Sequence, residues 1–312
     1  MNLRSSRNKT IELTKEQIEK YSALCRKLPL NADVSDSVIL ADSQKAMEEL
    51  EKESFDLMIA DPPYNLDKDF DGEVFSSMNR EKYIEYTKNW LEKAKPLLKK
   101  TASVYVCCDW RSSSQIERAL IDCGFIIRSR ITWQREKGRG AKRNWKNSME
   151  DIWFATVSDE YTFNLDSVMI RRKVMAPYRN EGMPKDWEET KDGNFRNTCP
   201  SNFWDDITVP YWSMPENTPH PTQKPEKLIA RLILASSNKG DKVFDPFLGS
   251  GTTAVTAKKL SRHFVGIEKS EHYCALANYR LELAKSDISI QGYNDGVFWE
   301  RNTKGNLRRN KE

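Results

Sequence analysis

Asp61, Pro62, Pro63 and Tyr64 directly follow the apolar run Phe55–Ala60, so an acid, a carbonyl and an aromatic ring leave the end of a strand-like segment together. Open α/β sheets bind their ligands beyond the carboxyl ends of such strands. Each proline fixes its own φ, and Pro63 also restricts its predecessor, which makes the group rigid. A planar amino group on an aromatic ring would offer one N–H to the Asp61 carboxylate, the other to the Pro62 carbonyl, and its ring face to Tyr64. Accepting both hydrogen bonds localises the nitrogen lone pair, which is otherwise delocalised into the ring, and makes nitrogen nucleophilic. A strand-end turn carrying an exposed tyrosine is the plainer account of the tetrapeptide alone.

A second motif runs from Asp241 to Thr253, where a short β-rich run enters Asp245-Pro246-Phe247-Leu248-Gly249-Ser250-Gly251 and Thr252 opens a helical pattern. Glycines allow close approach of a ligand to the backbone, and a helix start presents unpaired N–H groups to an anion. The spacing and the hydroxyls of Thr252 and Thr253 suit an amino-acid carboxylate better than a pyrophosphate. Val265-Gly266-Ile267-Glu268 then ends a second strand in an acid, about twenty residues on, the distance typical of a group that holds ribose hydroxyls. A nucleoside bearing an amino acid is S-adenosylmethionine.

With both motifs placed, the chain resembles the β-group DNA amino-methyltransferases of restriction-modification type, whose catalytic motif precedes the cofactor motif. The resemblance runs from about Ser37 to Leu281 and rests on Leu40-Ala41-Asp42-Ser43, Asp61 to Asn65, His220-Pro221-Thr222-Gln223-Lys224-Pro225, Asp245 to Thr252 and Gly266-Ile267-Glu268. It implies a Rossmann-like S-adenosylmethionine-dependent methyltransferase, an α/β fold with a mainly parallel seven-stranded sheet, one antiparallel strand and circularly permuted motifs. Asp61, Pro62 and Tyr64 would be catalytic. The cofactor would be held by Asp42 at the adenine, Glu268 at the ribose, and Thr222, Lys224 and Thr252 at the methionine end, with Asp61, Asp245, Phe247, Gly249 and Gly251 shaping its site. The target would be a base flipped out of double-stranded DNA, stacked on the Tyr64 ring rather than held by its hydroxyl. An initial Asp in the tetrapeptide favours adenine N6 over cytosine N4. An RNA or protein methyltransferase, or an inactive DNA-binding module, is the remaining alternative. The resemblance also leaves a cognate restriction endonuclease and a homodimeric state open.

The 50 basic and 46 acidic side chains leave a net charge of only +4, so distribution says more than the sum. Between Arg128 and Lys146 eight basic residues meet one acid, with Trp133 and Trp145 interleaved, and Arg171, Arg172, Lys173 and Arg179 follow. Cations among aromatics suit phosphate contact and base stacking, so Arg135, Lys137, Arg139, Lys142, Arg143, Arg171 and Arg172 are candidate DNA contacts. A solvated face is the alternative. The six cysteines lack metal-ligand spacing and read as reduced and structural, with no metal expected. Cys199 precedes Pro200, the reverse of the order used in cytosine C5 methylation. Without a long apolar stretch or a signal-peptide core, the protein is expected in the cytoplasm with no membrane partner, and the resemblance implies a prokaryotic cell in which it meets the nucleoid through DNA.

The elements that must position these groups alternate as such a sheet requires. Strands are expected over 37–41, 55–60, 103–108, 125–133, 151–157, 242–244 and 263–267, and helices over 15–27, 43–52, 80–95, 112–123, 226–236, 252–260 and 271–284. The strands at 125–133 and 151–157 form an antiparallel hairpin around the basic loop. Tyr83, Tyr86, Trp90 and Ala94 share helical spacing and read as core. His220 reads as a hydrogen-bonding loop residue rather than a base. Residues 1–30 are expected as a helical extension, 31–160 with 217–285 as the catalytic and cofactor domain, 161–216 as an irregular target-recognition insertion, and 286–312 as a polar basic tail.

Overall fold

The computed structural model describes residues 6–30, 33–135, 142–175, 178–191 and 193–300. Its main sheet has eight strands: β1 (Ser37–Leu40), β2 (Phe55–Ala60), β3 (Leu98–Asp109), β4 (Ile126–Gln134), β5 (Met149–Thr156), β6 (Phe203–Trp204), β7 (Lys242–Asp245) and β8 (His263–Glu268). The spatial order is β1-β8-β7-β2-β3-β5-β4-β6, and β5 is antiparallel to both of its neighbours. All seven expected strands form. The eighth, β6, pairs parallel with β4 through Phe203 and Trp204, an aromatic pair too short to show periodicity.

Alternation along the buried strands feeds two cores, one on each face of the sheet. Leu57 and Ile59 of β2, with Tyr105 and Cys107 of β3, face α5 (Glu226–Ser236), α6 (Thr252–Lys259) and α7 (Glu271–Leu283). Phe55, Met58, Ala60, Val104 and Val106 face α2 (Ser43–Met47), α3 (Arg80–Ala94) and α4 (Ser113–Asp122). Tyr83, Trp90 and Ala94 are core as expected, while Tyr86 is half-buried and reaches the central cavity. The first helix, α1 (Lys15–Ser22), starts at a Thr14–Gln17 capping box and lies on α7, where Asn278 donates to the Tyr21 carbonyl. It ends before the expected Lys27 because the chain turns at Cys25 to bridge Arg26 with Ile39 beside β1.

Residues 161–216 depart from the expected irregularity, and residues 286–300 from the expected tail. A second sheet of five strands joins Ile170–Lys173, Glu188–Thr190 and Gly193–Thr198 to Tyr293–Asn294 and Val297–Trp299. The C-terminal strand pairs Phe298 with Ile170 and Trp299 with Arg171, so the end of the described chain returns to the insertion. Its apolar core is small: Val168, Ile170 and Phe298 pack against Ala230 and Leu234 of α5. Prolines, asparagines and charges hide such short strands, and the C-terminal one finds its partner, Ile170–Lys173, more than a hundred residues away.

Candidate active site

The carboxyl ends of the five adjacent parallel strands β1, β8, β7, β2 and β3 fall along one edge. That edge therefore presents, in spatial order, Asp42, Glu268, the glycine turn, Asp61 and Asp109. Chain order departs outward from the β7–β2 boundary, β8 following β7 on one side and β3 following β2 on the other, and a ligand crevice forms at such a switch point. A cavity of about 480 Å³ opens there, and Asp42, Asp61, Pro62, Tyr64, Thr222, Lys224, Asp245, Phe247, Gly249, Thr252 and Glu268 all line it.

At the Asp61 end the Lys224 ammonium lies 2.6 Å from Asp61 Oδ2 and 3.5 Å from Glu150 Oε2, with its charge 5.2 Å above the Tyr64 ring. Burial would lower the Lys224 pKa, but the Asp61 and Glu150 carboxylates outweigh it and hold it above the ordinary lysine value. Asp61 Oδ1 is buried and has no hydrogen-bond partner among the described residues. Tyr83, from α3, donates to the Pro63 carbonyl at 3.0 Å and braces the second proline. Burial, reinforced by Asp61 and Glu150, raises the Tyr64 phenol well above its usual pKa, so the hydroxyl stays protonated and donates to Glu150 Oε2 at 3.1 Å.

At the other end Glu268 accepts from Gly249 N and Lys269 N at 2.9 Å and from Ser270 N at 2.8 Å, which fixes its carboxylate against the glycine turn. Burial nevertheless raises its pKa. Asp42 caps α2 through Oδ1, accepting from Gln44 N and Lys45 N. Asp245 accepts from Phe247 N at 2.9 Å, and burial pushes its carboxyl up to about 7. Phe247 stands edge-on to Trp90 with ring centres 5.2 Å apart. Thr252 begins α6, and its hydroxyl accepts from Arg280.

The two glycines have different reasons to be there. At Gly249, with φ of 54°, an added Cβ would come within 2.9 Å of His220 Nε2 at the cavity wall. At Gly251, with φ of 88°, it would come within 2.6 Å of Ala277 on α7. Gly251 does not line the cavity. Close packing of α6 on α7, rather than approach of a ligand, accounts for it. Burial, with Lys224 and Lys68 nearby, lowers His220 to about 3, so its ring is neutral near pH 7; Nδ1 accepts from Thr222 N and the ring packs edge-on to Tyr273.

The basic candidates fall into three groups. Lys137 and Arg139 lie outside the described residues. Lys142 and Arg143 are exposed on the loop after β4. Arg135 enters the cavity wall and forms an ion pair with buried Glu150, while Arg171 pairs with Glu188 at 2.7 Å and Arg172 with Glu300 at 3.4 Å. Pattern reading missed Glu150, together with Asp109 and Asn147, which also line or adjoin this end. Glu150 arrives from the amino end of the one antiparallel strand, opposite Asp109, and no local motif marks that position. Among the described residues no His, Cys, Asp and Glu cluster could hold a metal, and their cysteines are free.

A three-layer α/β sheet with a glycine turn, a strand-end acid and a second acidic tetrapeptide on its crevice defines a Rossmann-like methyltransferase. A family model of the N6 and N4 methyltransferases, described as DNA methylase, matches residues 55–279, and the chain belongs to that family. It is a DNA methyltransferase whose cofactor is S-adenosylmethionine. The Type II methyltransferase M.HpaI of Haemophilus parainfluenzae is 38% identical over 247 residues, 78% of this chain and 74% of that protein. DNA adenine methyltransferase YhdJ of Escherichia coli strain K12 is 35% identical over 258 residues, 80% and 83% of the two chains. Among solved structures, the cytosine-N4-specific PvuII DNA methyltransferase superposes with a TM-score of 0.61 at 18% identity, covering 80% of this chain and 90% of that one. The M1.HpyAVI complex with S-adenosylmethionine gives 0.50 at 22% identity, covering 78% and 98%.

The cavity residues fit that cofactor. Glu268 and Asp42 are fixed acceptors able to receive hydroxyl and amino donors, the N-terminal turn of α6 and Thr252 suit a carboxylate, and Gly249 leaves room beside His220.

Proposed function

We propose that the chain methylates the N6 amino group of an adenine flipped out of duplex DNA. The observation that carries this reading is Asp61: one carboxylate oxygen is held by Lys224, while the other is buried beside the cavity without a partner. An unsatisfied buried acceptor costs about 1–3 kcal/mol and calls for a donor, which an exocyclic N–H supplies. Asp61 Oδ1 would accept one N–H and the Pro62 carbonyl the other, turning the nitrogen lone pair toward the cofactor end of the cavity. Bound S-adenosylmethionine supplies the sulfonium methyl. Tyr64 would stack the base, which contributes roughly 1–3 kcal/mol. On the cofactor side, Glu268 would take ribose hydroxyls, Asp42 the adenine amino group, and Thr222, Thr252 and the α6 amides the methionine carboxylate. Phe247 would lie against the nucleoside, with Asp245 setting its turn.

Adenine is preferred because the tetrapeptide begins with Asp and because both relatives above exceed a third identity, one of them named an adenine methyltransferase. Cytosine N4 presents the same donors and is the alternative. The basic loop around Lys142 and Arg143 would hold phosphates and the second sheet with its flanking segments would read sequence, so recognition draws on residues 286–300 as well as 161–216. The enzyme would work in a bacterial cytoplasm, alone or as a homodimer, with or without a restriction endonuclease of the same specificity. Sequencing of modified bases in DNA from expressing cells, alongside transfer of labelled methyl to DNA, RNA and protein, tests the reading: N6-methyladenine at one short sequence is expected, and N4-methylcytosine or label confined to RNA or protein would overturn it.

A further inference from the structure

Glu150 lies outside every motif, yet it joins three other groups at the Asp61 end. Its side chain is about 5% exposed, and both oxygens are engaged: Oε2 accepts from the Tyr64 hydroxyl at 3.1 Å and lies 3.5 Å from Lys224 Nζ, while Oε1 pairs with Arg135. The fold explains this placement. As the antiparallel strand, β5 begins where its neighbours end, so its first buried residue enters the crevice opposite Asp109 on one side and Trp133 on the other. Arg135 leaves β4 at the same edge, and its N–H donates to the Ser148 carbonyl at 2.8 Å, closing the neck of the basic loop directly before Glu150.

The four charges in direct contact pair off, the Asp61 and Glu150 carboxylates against Lys224 and Arg135, with half-buried Lys68 and buried Asp109 lining the same cavity. Lys224 is thereby divided between two acids. Without Glu150 its ammonium would be free to settle wholly on Asp61, and Tyr64 would lose the bond that fixes the plane of its ring. We propose that Glu150 is a positioning residue for methyl transfer: it holds Lys224 and the Tyr64 hydroxyl so that Asp61 presents one free oxygen and Tyr64 one fixed face to the target base. This assigns a role to the tyrosine hydroxyl, where the sequence suggests the ring alone. The inference rests on the base-holding role proposed for Asp61 and Tyr64.

The test compares Glu150→Gln, which keeps shape and removes charge, with Tyr64→Phe and Asp61→Ala. The full chain is used with S-adenosylmethionine and a duplex carrying its methylated sequence. Hydrogen bonds to a charged group of this kind carry about tenfold or more in rate when they act in the transition state. Glu150→Gln is therefore expected to lower kcat roughly tenfold or more per active site, with KM for DNA and cofactor affinity unchanged. A duplex with 2-aminopurine at the target position should show an altered fluorescence in Glu150→Gln and Tyr64→Phe alike, reporting a flipped base that is poorly stacked even where no methyl is transferred. A purely structural role would instead lower the melting temperature and the fraction of active enzyme while leaving kcat per active site intact, and that result would overturn the proposal. So would wild-type kcat and fluorescence in Glu150→Gln. If Asp61→Ala kept its turnover, the reading of the tetrapeptide itself would fail; an inactive Asp61→Ala beside a normal Glu150→Gln would sink only the role of Glu150.

Discussion

At the edge of the main sheet, Asp61, Glu150, Lys224 and Arg135 are packed together and offset one another, whereas in and beside the five-stranded sheet Arg171, Arg172, Arg179 and Arg196 pair with Glu188, Glu300, Glu189 and Asp186, most of these acids well exposed. The same ion-pair chemistry has different consequences in the two places. In the crevice, removing one partner strands a charge in low dielectric, so each member constrains the others. At the surface, water and salt screen what remains, and a pair contributes little, about 0–1 kcal/mol. A segment built on the second kind of pairing can change its side chains without dismantling the fold, which suits the sequence-reading role proposed for it.

The joint between the two regions is itself a buried ion cluster, and the largest effect on stability is expected there. Asp206 accepts from both terminal nitrogens of Arg231 at 3.1 and 2.8 Å and pairs with Lys227 at 2.7 Å, while Arg231 is stacked between Trp204 of the main sheet and Phe298 of the second. Asp206→Asn should cost about 3–5 kcal/mol, the range for breaking a buried pair. Burial alone would raise the Asp206 pKa, but Arg231 and Lys227 outweigh it and hold the carboxyl at about 2. Because this folded value lies below the unfolded one, near 3.8, the stabilisation is complete above that pH and is lost as pH falls from about 4 toward 2. Acid melting curves should show this dependence in the wild type and not in Asp206→Asn; identical acid limbs would remove Asp206 as the clasp.

Next in size is the chemical step. Asp61→Ala should lower turnover by roughly 10²–10³-fold, as loss of one preorganised group facing the reacting atom does, while calorimetry with S-adenosylmethionine shows little change. Turnover near normal would dissolve the contrast between a crevice whose charges act together and a surface whose charges do not.

The cofactor end should respond more gently. Glu268→Ala loses a fixed acceptor, and Gly249→Val drives a side chain toward His220 from a backbone with positive φ. Each should weaken S-adenosylmethionine binding about 10–100-fold without altering the rate at saturation, given roughly 1.5–3 kcal/mol for a hydrogen bond to a charged group. Unchanged affinity in the folded variants would reassign both positions.

This contrast also explains what the sequence disclosed. Strand-end acids and the glycine turn were legible because Asp61, Asp245 and Glu268 each follow an apolar run whose period places them at the sheet's edge, and five parallel strands then bring them together. Gly251 was legible as a glycine but not in its purpose, since Ala277, its neighbour, lies on a later helix. Glu150 was illegible because its placement depends on strand direction: only in an antiparallel strand does the amino end, not the carboxyl end, enter the crevice. Arg135 looked like a phosphate contact for the same reason, standing among loop cations while its side chain turns inward to Glu150. The second sheet escaped notice because its strands run two to six residues and gain their partners from both sides of α5, α6 and α7.

The smallest expected effect separates cations proposed to hold DNA from cations that hold the protein. Lys142 and Arg143 are exposed on the loop whose neck Arg135 closes, while Arg171 lies against the rings of Phe195 and Trp299 at 5.5 and 5.7 Å with its side chain only about 15% exposed. Replacing Lys142 and Arg143 together with Gln should weaken binding to all duplexes alike and reduce the slope of log affinity against log salt by about 0.9 for each phosphate no longer neutralised. The methylated sequence should not change. Replacing Arg171 and Arg172 with Gln should instead lower the melting temperature, because Arg171 supports the pairing of the C-terminal strand, and leave the salt slope near the wild-type value. Filter binding across a salt series, with melting curves for both variants, measures the two arms. A slope that falls as far for the second pair as for the first would mean that the ion pairs with Glu188 and Glu300 open when DNA arrives, and the division between the two regions would no longer hold.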